Sequence, residues 1–227
     1  MSSKKILLEG IGEVLISKRK GQRTIRISIS GTAIKVTQPY LLPFAAGEAF
    51  LKSRTAWIVE HLKPAETYSS GQKLTDTTTL LFRRSERATI GSKLFDSSLV
   101  VLLPRGSYPE DPDVQSYIAK KVTSLLRGKA ESFLPRRVAE LAKMFGFTYK
   151  SVQVKQLKRR WGSCNSKKEL VFNLNLMSLD SLHIDYVILH ELTHTIHMNH
   201  GEEFWSHLES VFPGCKKVAK VVRRYNV

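Results

Sequence analysis

Six of the seven histidines in this 227-residue chain lie between His183 and His207. Inside that stretch stands His190-Glu191-Leu192-Thr193-His194. On a helix, side chains four positions apart lie one turn above one another, with Cβ atoms about 5–6 Å apart. That spacing lets two imidazoles reach a single Zn2+ at about 2.0–2.1 Å. Glu191 sits about 100° further round the helix than His190, close enough to steer a water at the metal without being a ligand. The chemistry this predicts is metal-assisted hydrolysis with Glu191 as the general base.

A catalytic zinc takes three protein ligands and keeps one position open. His200, six residues after His194, is the preferred third ligand. The separation fits the long zincin pattern H-E-x-x-H-x-x-G-x-x-H, except that His197 stands at the glycine. Asn199, which tolerates a left-handed backbone, or Gly201 is expected to supply the turn instead. His197 is a rival ligand on the same helical face; otherwise it is a surface histidine or a hydrogen-bond donor to substrate. Glu203 and Glu209 are weaker candidates, and His183 and His207 read as ordinary surface or core positions. H-E-x-x-H alone is short enough to arise by coincidence on an amphipathic helix, and the downstream histidines argue against that.

These groups need a helix, and the sequence signals one. Asp180 or Ser181 can cap its start, and Asp185 adds negative charge near its positive end. Val187, Ile188, Leu189, Leu192 and Ile196 give it a broad apolar surface. Polar groups on such a buried helix cost free energy unless something pairs with them, and a metal is that partner.

Further upstream, Ile25, Ile27 and Ile29 alternate with polar residues, Ser30-Gly31 offers a turn, and Ile34 and Val36 resume the alternation. A helix is expected over 46–63, from Phe50, Trp57, Ile58 and Leu62, closed by Pro64. Strands are expected at 79–82, 88–90 and 99–103. Three prolines and a glycine between Pro104 and Pro112 mark a linker. Beyond it Val114, Ile118, Val122 and Leu125, then Val138, Leu141, Ala142 and Phe145, have helical spacing. Asp113 is the expected cap, and Leu134-Pro135 a kink or division between the two runs. From Ser151 to about Met177 the pattern returns to strand, and no internal repeat is visible. Phe172, Leu174 and Leu176 would face one way, with Asn173 and Asn175 facing solvent or a cleft.

The formal charge of +16, from 36 Lys and Arg against 20 Asp and Glu, favours anionic partners and is silent on fold. With 42% hydrophobic residues the chain is not disordered. Cys164 and Cys215 cannot form a disulfide framework, which points to a reducing, cytoplasmic setting. No stretch approaches the roughly 18 apolar residues that span a bilayer, and the interrupted N-terminal run is no signal peptide, so no membrane partner is expected.

Taken together, Arg160-Trp161-Gly162-Ser163-Cys164, Phe172-Asn173-Leu174-Asn175, the run Asp185 to His194, and His197-Met198-Asn199-His200 through Phe204-Trp205 resemble the YgjP-like zinc metallopeptidases. That bacterial family is related to the WLM and SprT-like groups. The likeness extends to the basic N-terminal module, including Trp57. It implies that His190, His194 and His200 are the zinc ligands and Glu191 the catalytic glutamate; His197 also occurs at that place in the family. It further implies an α+β protein: a β-rich N-terminal module with one helix (1–106), then a mainly helical zincin-like catalytic domain with a small sheet (107–227).

Lys158, Arg159 and Arg160 form a cationic cluster beside Trp161, and Gly162 permits close backbone approach. This segment is either a cleft wall or a strand end with solvated charges and a core tryptophan. Candidate substrate-binding residues are Arg160, Trp161, Asn173, Asn175 and His197. Cys164 reads as a buried thiol, and the cations from Lys216 to Arg224 as a solvated helix face. The leading substrate is a peptide or protein. A nucleotide phosphoanhydride is the alternative favoured by the charge, although no Gly-rich phosphate loop is present. A basic nucleic-acid-binding zinc protein, or a protease working beside DNA, is the third reading.

Overall fold

A computed structural model describes residues 2–8, 11–30, 33–61 and 67–225. The chain separates into two compact units, Met1–Thr67 and Tyr68–Val227. The division expected after residue 106 is not where compactness divides the chain. The strands of 73–103 share one hydrophobic core with the helices that follow: Leu80, Leu99, Val101 and Leu103 pack in the same cluster as Ile118, Leu134 and Ile188.

In the first unit the alternating pattern builds β1 (Ser3–Leu8), β2 (Gly12–Arg19), β3 (Arg26–Ser30) and β4 (Ala33–Pro39). They form one sheet in the order β1-β2-β4-β3, with β2 and β4 parallel and both outer pairs antiparallel. Gly31, expected to turn the chain, lies outside the described residues. The single helix expected over 46–63 is instead two, α1 (Phe44–Ser53) and α2 (Thr55–His61). The Ser53 and Thr55 hydroxyls take the Phe50 and Lys52 carbonyls at 2.8 and 2.9 Å, competing with the backbone where the helix breaks. Leu62, Lys63 and Pro64 lie outside the described residues. Leu51 and Ile58 close the core over Val14, Ile16, Ile34 and Val36, while Trp57 is exposed.

The second unit opens with β5 (Lys73–Thr75), β6 (Thr78–Arg84), β7 (Gly91–Phe95) and β8 (Ser98–Leu103), in the order β5-β6-β8-β7. The strand expected at 88–90 is a bend before β7, where the Arg87 amide bonds the Ser85 hydroxyl. The linker leads into α3 (Pro112–Phe145), with Asp111 rather than Asp113 at the N-cap position and Pro112 in the first turn; the Asp111 carboxylate accepts the Tyr108 amide and does not cap the helix. α3 runs unbroken through Pro135. A helical proline costs about 3 kcal/mol, and a continuous buried stripe from Val114 to Ala142 flanks it on both sides to offset that cost. Gly146, at φ 72°, ends the helix.

A second sheet follows, β9 (Ser151–Lys155), β10 (Gly162–Cys164) and β11 (Glu169–Asn173), in the order β10-β11-β9 with β10 at the edge. The strand expected to reach Met177 stops at Asn173, whose side chain accepts the Asn175 amide and turns residues 174–178 into a 3₁₀ segment. Phe172, Leu174 and Leu176 are all fully buried, as their spacing implied, but not along one strand. Three helices complete the unit: α4 (Ser181–Thr193), α5 (Glu202–Val211) and α6 (Cys215–Val222). No helix among the described residues is long and apolar enough to cross a membrane.

Candidate active site

α4 is fixed at its start by Asp180, whose Oδ1 accepts the His183 amide at 2.9 Å and the His183 Nδ1–H at 2.6 Å. Asp185 does more than complement the helix dipole. It accepts two hydrogen bonds from Arg137 of α3, at 2.8 and 2.6 Å, and this fork ties α4 to the long helix. The hydrogen bonds to Asp185 and, next, to Glu140 hold the Arg137 guanidinium well above its ordinary range.

The last turn of α4 presents His190 and His194, with ring centroids 5.0 Å apart. The Thr193 and Thr195 hydroxyls bond the Leu189 and Leu192 carbonyls, each at 2.7 Å, and the Thr195 and Ile196 amides make 3₁₀-type bonds that end the helix. Neither Asn199 nor Gly201 has a positive φ; the expected left-handed turn is not used, because these threonines redirect the chain earlier. The chain then returns His200 to α4, with His200 Nε2 at 3.1 Å from His190 Nε2. One ligand nitrogen from each of His190, His194 and His200 lies within 4.8 Å of the other two.

Other side chains set the orientation of these rings. His194 Nδ1 donates to the His197 carbonyl at 3.0 Å, which leaves Nε2 free to accept. The Tyr186 hydroxyl stands 3.4 Å from His190 Nδ1. Phe204, fully buried, packs beneath all three imidazoles with centroids 5.0, 4.6 and 4.7 Å away. Burial, then the neighbouring His194 and His200, push His190 down to about 3, and burial also lowers His194. Imidazoles that resist protonation are what a metal site requires.

Glu191 is buried, and its Oε2 has no hydrogen-bond partner among the described residues. Burial lifts its carboxyl to about 8, against the opposing pull of Arg160 and the Cys164 amide. Gly162 makes this burial possible. A Cβ there would stand 2.7 Å from Glu191 Cγ and 2.8 Å from Oε1, so no other residue fits without a shift.

A cavity of about 640 Å³ opens onto the three imidazoles and Glu191. Arg159, Arg160, Trp161 and Cys164 line one part of it, and Tyr186, Met198 and Arg223 also reach it. Of the expected substrate-binding residues, Arg160 and Trp161 line the cavity; Asn173, Asn175 and His197 do not. Asn173 is fully buried and serves the loop instead: its amide donates to the Leu157 and Arg160 carbonyls at 2.8 and 3.0 Å, and its backbone N–H donates to Trp161. His197 turns to His207, 3.2 Å away, and to Glu203. Glu209 caps α6 by accepting from the Gly214 and Cys215 amides. Cys164 is half-buried rather than buried, and burial with the Glu191 charge pushes its thiol up to about 11.

Sequence reasoning missed Tyr186 and Arg223 as cavity residues and Phe204 as the floor under the histidines. Tyr186, four residues before His190 on a helix, could have been found by the i, i+4 rule. Nothing local marks Arg223, because it arrives from α6 only once the chain has folded.

Three imidazoles gathered beside a buried carboxyl are the equipment of a metal-dependent hydrolase. A sequence model of the YgjP-like metallopeptidase domain matches residues 23–225, and the chain belongs to that family. Among solved structures it is similar to the metallopeptidase zymogen abylysin of Pyrococcus abyssi, at 21% identity and a TM-score of 0.37, over 40% of this chain and 91% of that one. It is also similar to the zymogen jannalysin of Methanocaldococcus jannaschii, at 24% identity and a TM-score of 0.35, over 40% of this chain and 94% of that one. No curated protein matches.

Proposed function

We propose that the chain is a zinc metallopeptidase in which His190, His194 and His200 hold the ion and Glu191 is the general base. The observation that carries this reading is the gathering of three candidate ligand nitrogens within 4.8 Å, with the buried Glu191 carboxyl, whose Oε2 has no partner among the described residues, next along α4 from His190. The donor set fits zinc: three imidazoles that open onto the cavity, with burial disfavouring protonation of His190 and His194. Bound there, zinc supplies Lewis acidity to a water and to the scissile carbonyl. Glu191 takes a proton from the water and passes it to the leaving amine. Gly162 and the Asn173 clasp keep that carboxyl out of bulk water, and Arg160 draws it toward ionisation. All of these groups belong to 107–227, so we assign catalysis to that stretch, with the sheet of 73–103 as its support.

Arg159, Arg160 and Arg223 on the cavity wall favour a second reading, hydrolysis of a nucleotide phosphoanhydride at the same centre. The two unpaired cysteines support action in the cytoplasm. The deciding experiment compares wild type with Glu191→Gln for zinc content and for turnover on mixed peptides and on nucleoside triphosphates. The peptidase reading expects near-stoichiometric zinc in both proteins and peptide cleavage reduced by about 10²–10⁴-fold in the variant. Phosphate release without peptide cleavage would overturn it in favour of the second reading.

A further inference from the structure

We infer that the first unit binds single-stranded nucleic acid on the open face of its sheet. Residues 14–47 contain six Lys and Arg and no Asp or Glu. In the sheet, Val14, Ile16, Ile34, Val36, Ile27 and Ile29 face the core closed by α1 and α2. Alternation puts the intervening residues on the opposite side, which neither helix of this unit covers. The register sets them in rows: Leu15, Lys35 and Ser28, then Ser17, Thr37 and Arg26, with Arg19 beside Pro39 at the end of β2.

This face offers the charged groups that contact phosphodiesters, namely guanidinium and ammonium; its hydroxyls are engaged within the sheet, Ser17 and Ser28 donating to the Val36 and Lys35 carbonyls and Thr37 accepting from Gln22. Arg19, Arg26 and Lys35 have no carboxylate partner among the described residues, whereas Lys4 and Lys5 are paired with Glu48 and Glu13. Strand rise and spacing put the Cα atoms of those three cations about 8–14 Å apart. Charges that far apart form a field for a chain of phosphates, not a pocket for one small anion. At the same end of the sheet, Tyr40 donates its amide to the Arg19 carbonyl, and Lys20 lies 5.8 Å from the centroid of its half-exposed ring. A tyrosine flanked by cations is a stacking platform for an unpaired base. None of these residues belongs to the hydrolytic centre, and the inference is independent of how that centre is read.

The test uses the full chain and a labelled mixed-sequence single strand in fluorescence anisotropy, with the matching duplex and phosphatidylglycerol vesicles as comparators. Between about 50 and 200 mM salt the affinity should fall steeply, as phosphate contacts require. The triple reversal Arg19→Glu, Arg26→Glu and Lys35→Glu should weaken single-strand binding at least about tenfold and flatten the salt slope by about 2. Tyr40→Ala should weaken the single strand more than the duplex. A charge-preserving set, Arg19→Lys, Arg26→Lys and Lys35→Arg, should bind like wild type, separating charge loss from misfolding. Glu191→Gln should leave binding unchanged. No salt-dependent binding, equal affinity after the triple reversal, or binding to vesicles without binding to the oligonucleotide would each overturn the inference.

Discussion

The sheet β1-β2-β4-β3 and the sheet β5-β6-β8-β7 have one topology: an antiparallel pair, a parallel central pair, and another antiparallel pair. Their inner faces are equally apolar. Their outer faces are not. Where the first sheet places Leu15 beside Lys35 and Ser17 beside Thr37, the second places Leu81 beside Val100 and Arg83 beside Leu102. The inner faces also meet different covers: two short helices over the first sheet, and over the second the core shared with the 34-residue α3. Strand order therefore does not decide what a sheet is for. The second supports the helices that hold the histidines, whereas the first has a small core of its own and a polar exterior.

The largest expected effect comes from breaking that difference in cover. Leu80→Ala in β6 removes a fully buried side chain from the core shared with α3 and α4, and should cost about 2–5 kcal/mol. Its melting should carry the metal-binding transition with it. Ile16→Ala in β2, equally buried, should cost a similar amount while leaving zinc affinity unchanged. Denaturant melts followed by zinc titration check both, and loss of zinc affinity in Ile16→Ala would erase the distinction.

Gly162→Ala sharpens the contrast within the second unit. The added methyl meets Glu191, so an overpacking cost of about 1–3 kcal/mol is expected, with a fall in turnover larger than any rise in KM. Steady-state kinetics beside a thermal melt would show it.

The smallest effect is on pH. In the metal-free protein His190 is depressed from 6.5 to about 3, so it contributes stability that grows as pH rises toward 6.5. Glu191 is raised from 4.5 to about 8, so the unfolded chain gives up this proton first and stability falls as pH rises from 4.5 to 8. Between pH 6.5 and 8 only the second slope remains. Chelated wild type should lose stability across that window, and chelated Glu191→Gln should be flatter in denaturant midpoints.

The histidine spacing was legible because helical periodicity places i and i+4 together whatever the surroundings. The strands around Ile27, Ile34, Leu80 and Val101 were legible for the matching reason at period two. The repeated sheet topology was hidden: the repeat lies in strand pairing, and most outward residues differ, Lys35 against Val100 and Ser17 against Arg83. Asn173 misled because alternation says which way a side chain leaves a strand, not that a loop waits to be clasped there. The break between α1 and α2 turned on two hydroxyls taking main-chain carbonyls, which an apolar pattern does not register. Compactness divided the chain at Thr67 instead of the proline-rich stretch, since punctuation marks a turn and burial marks a unit.

His190 and His194 are delivered by a helix already locked at both ends, whereas His200 stands exposed on a short return segment. An incoming cation would therefore meet two donors set in advance and recruit the third. Its departure would first loosen the 195–201 return and leave α4 intact. On the proposed reading, occupancy and local order at the cleft mouth would thereby be linked, and loss of the ion would leave α4 in place.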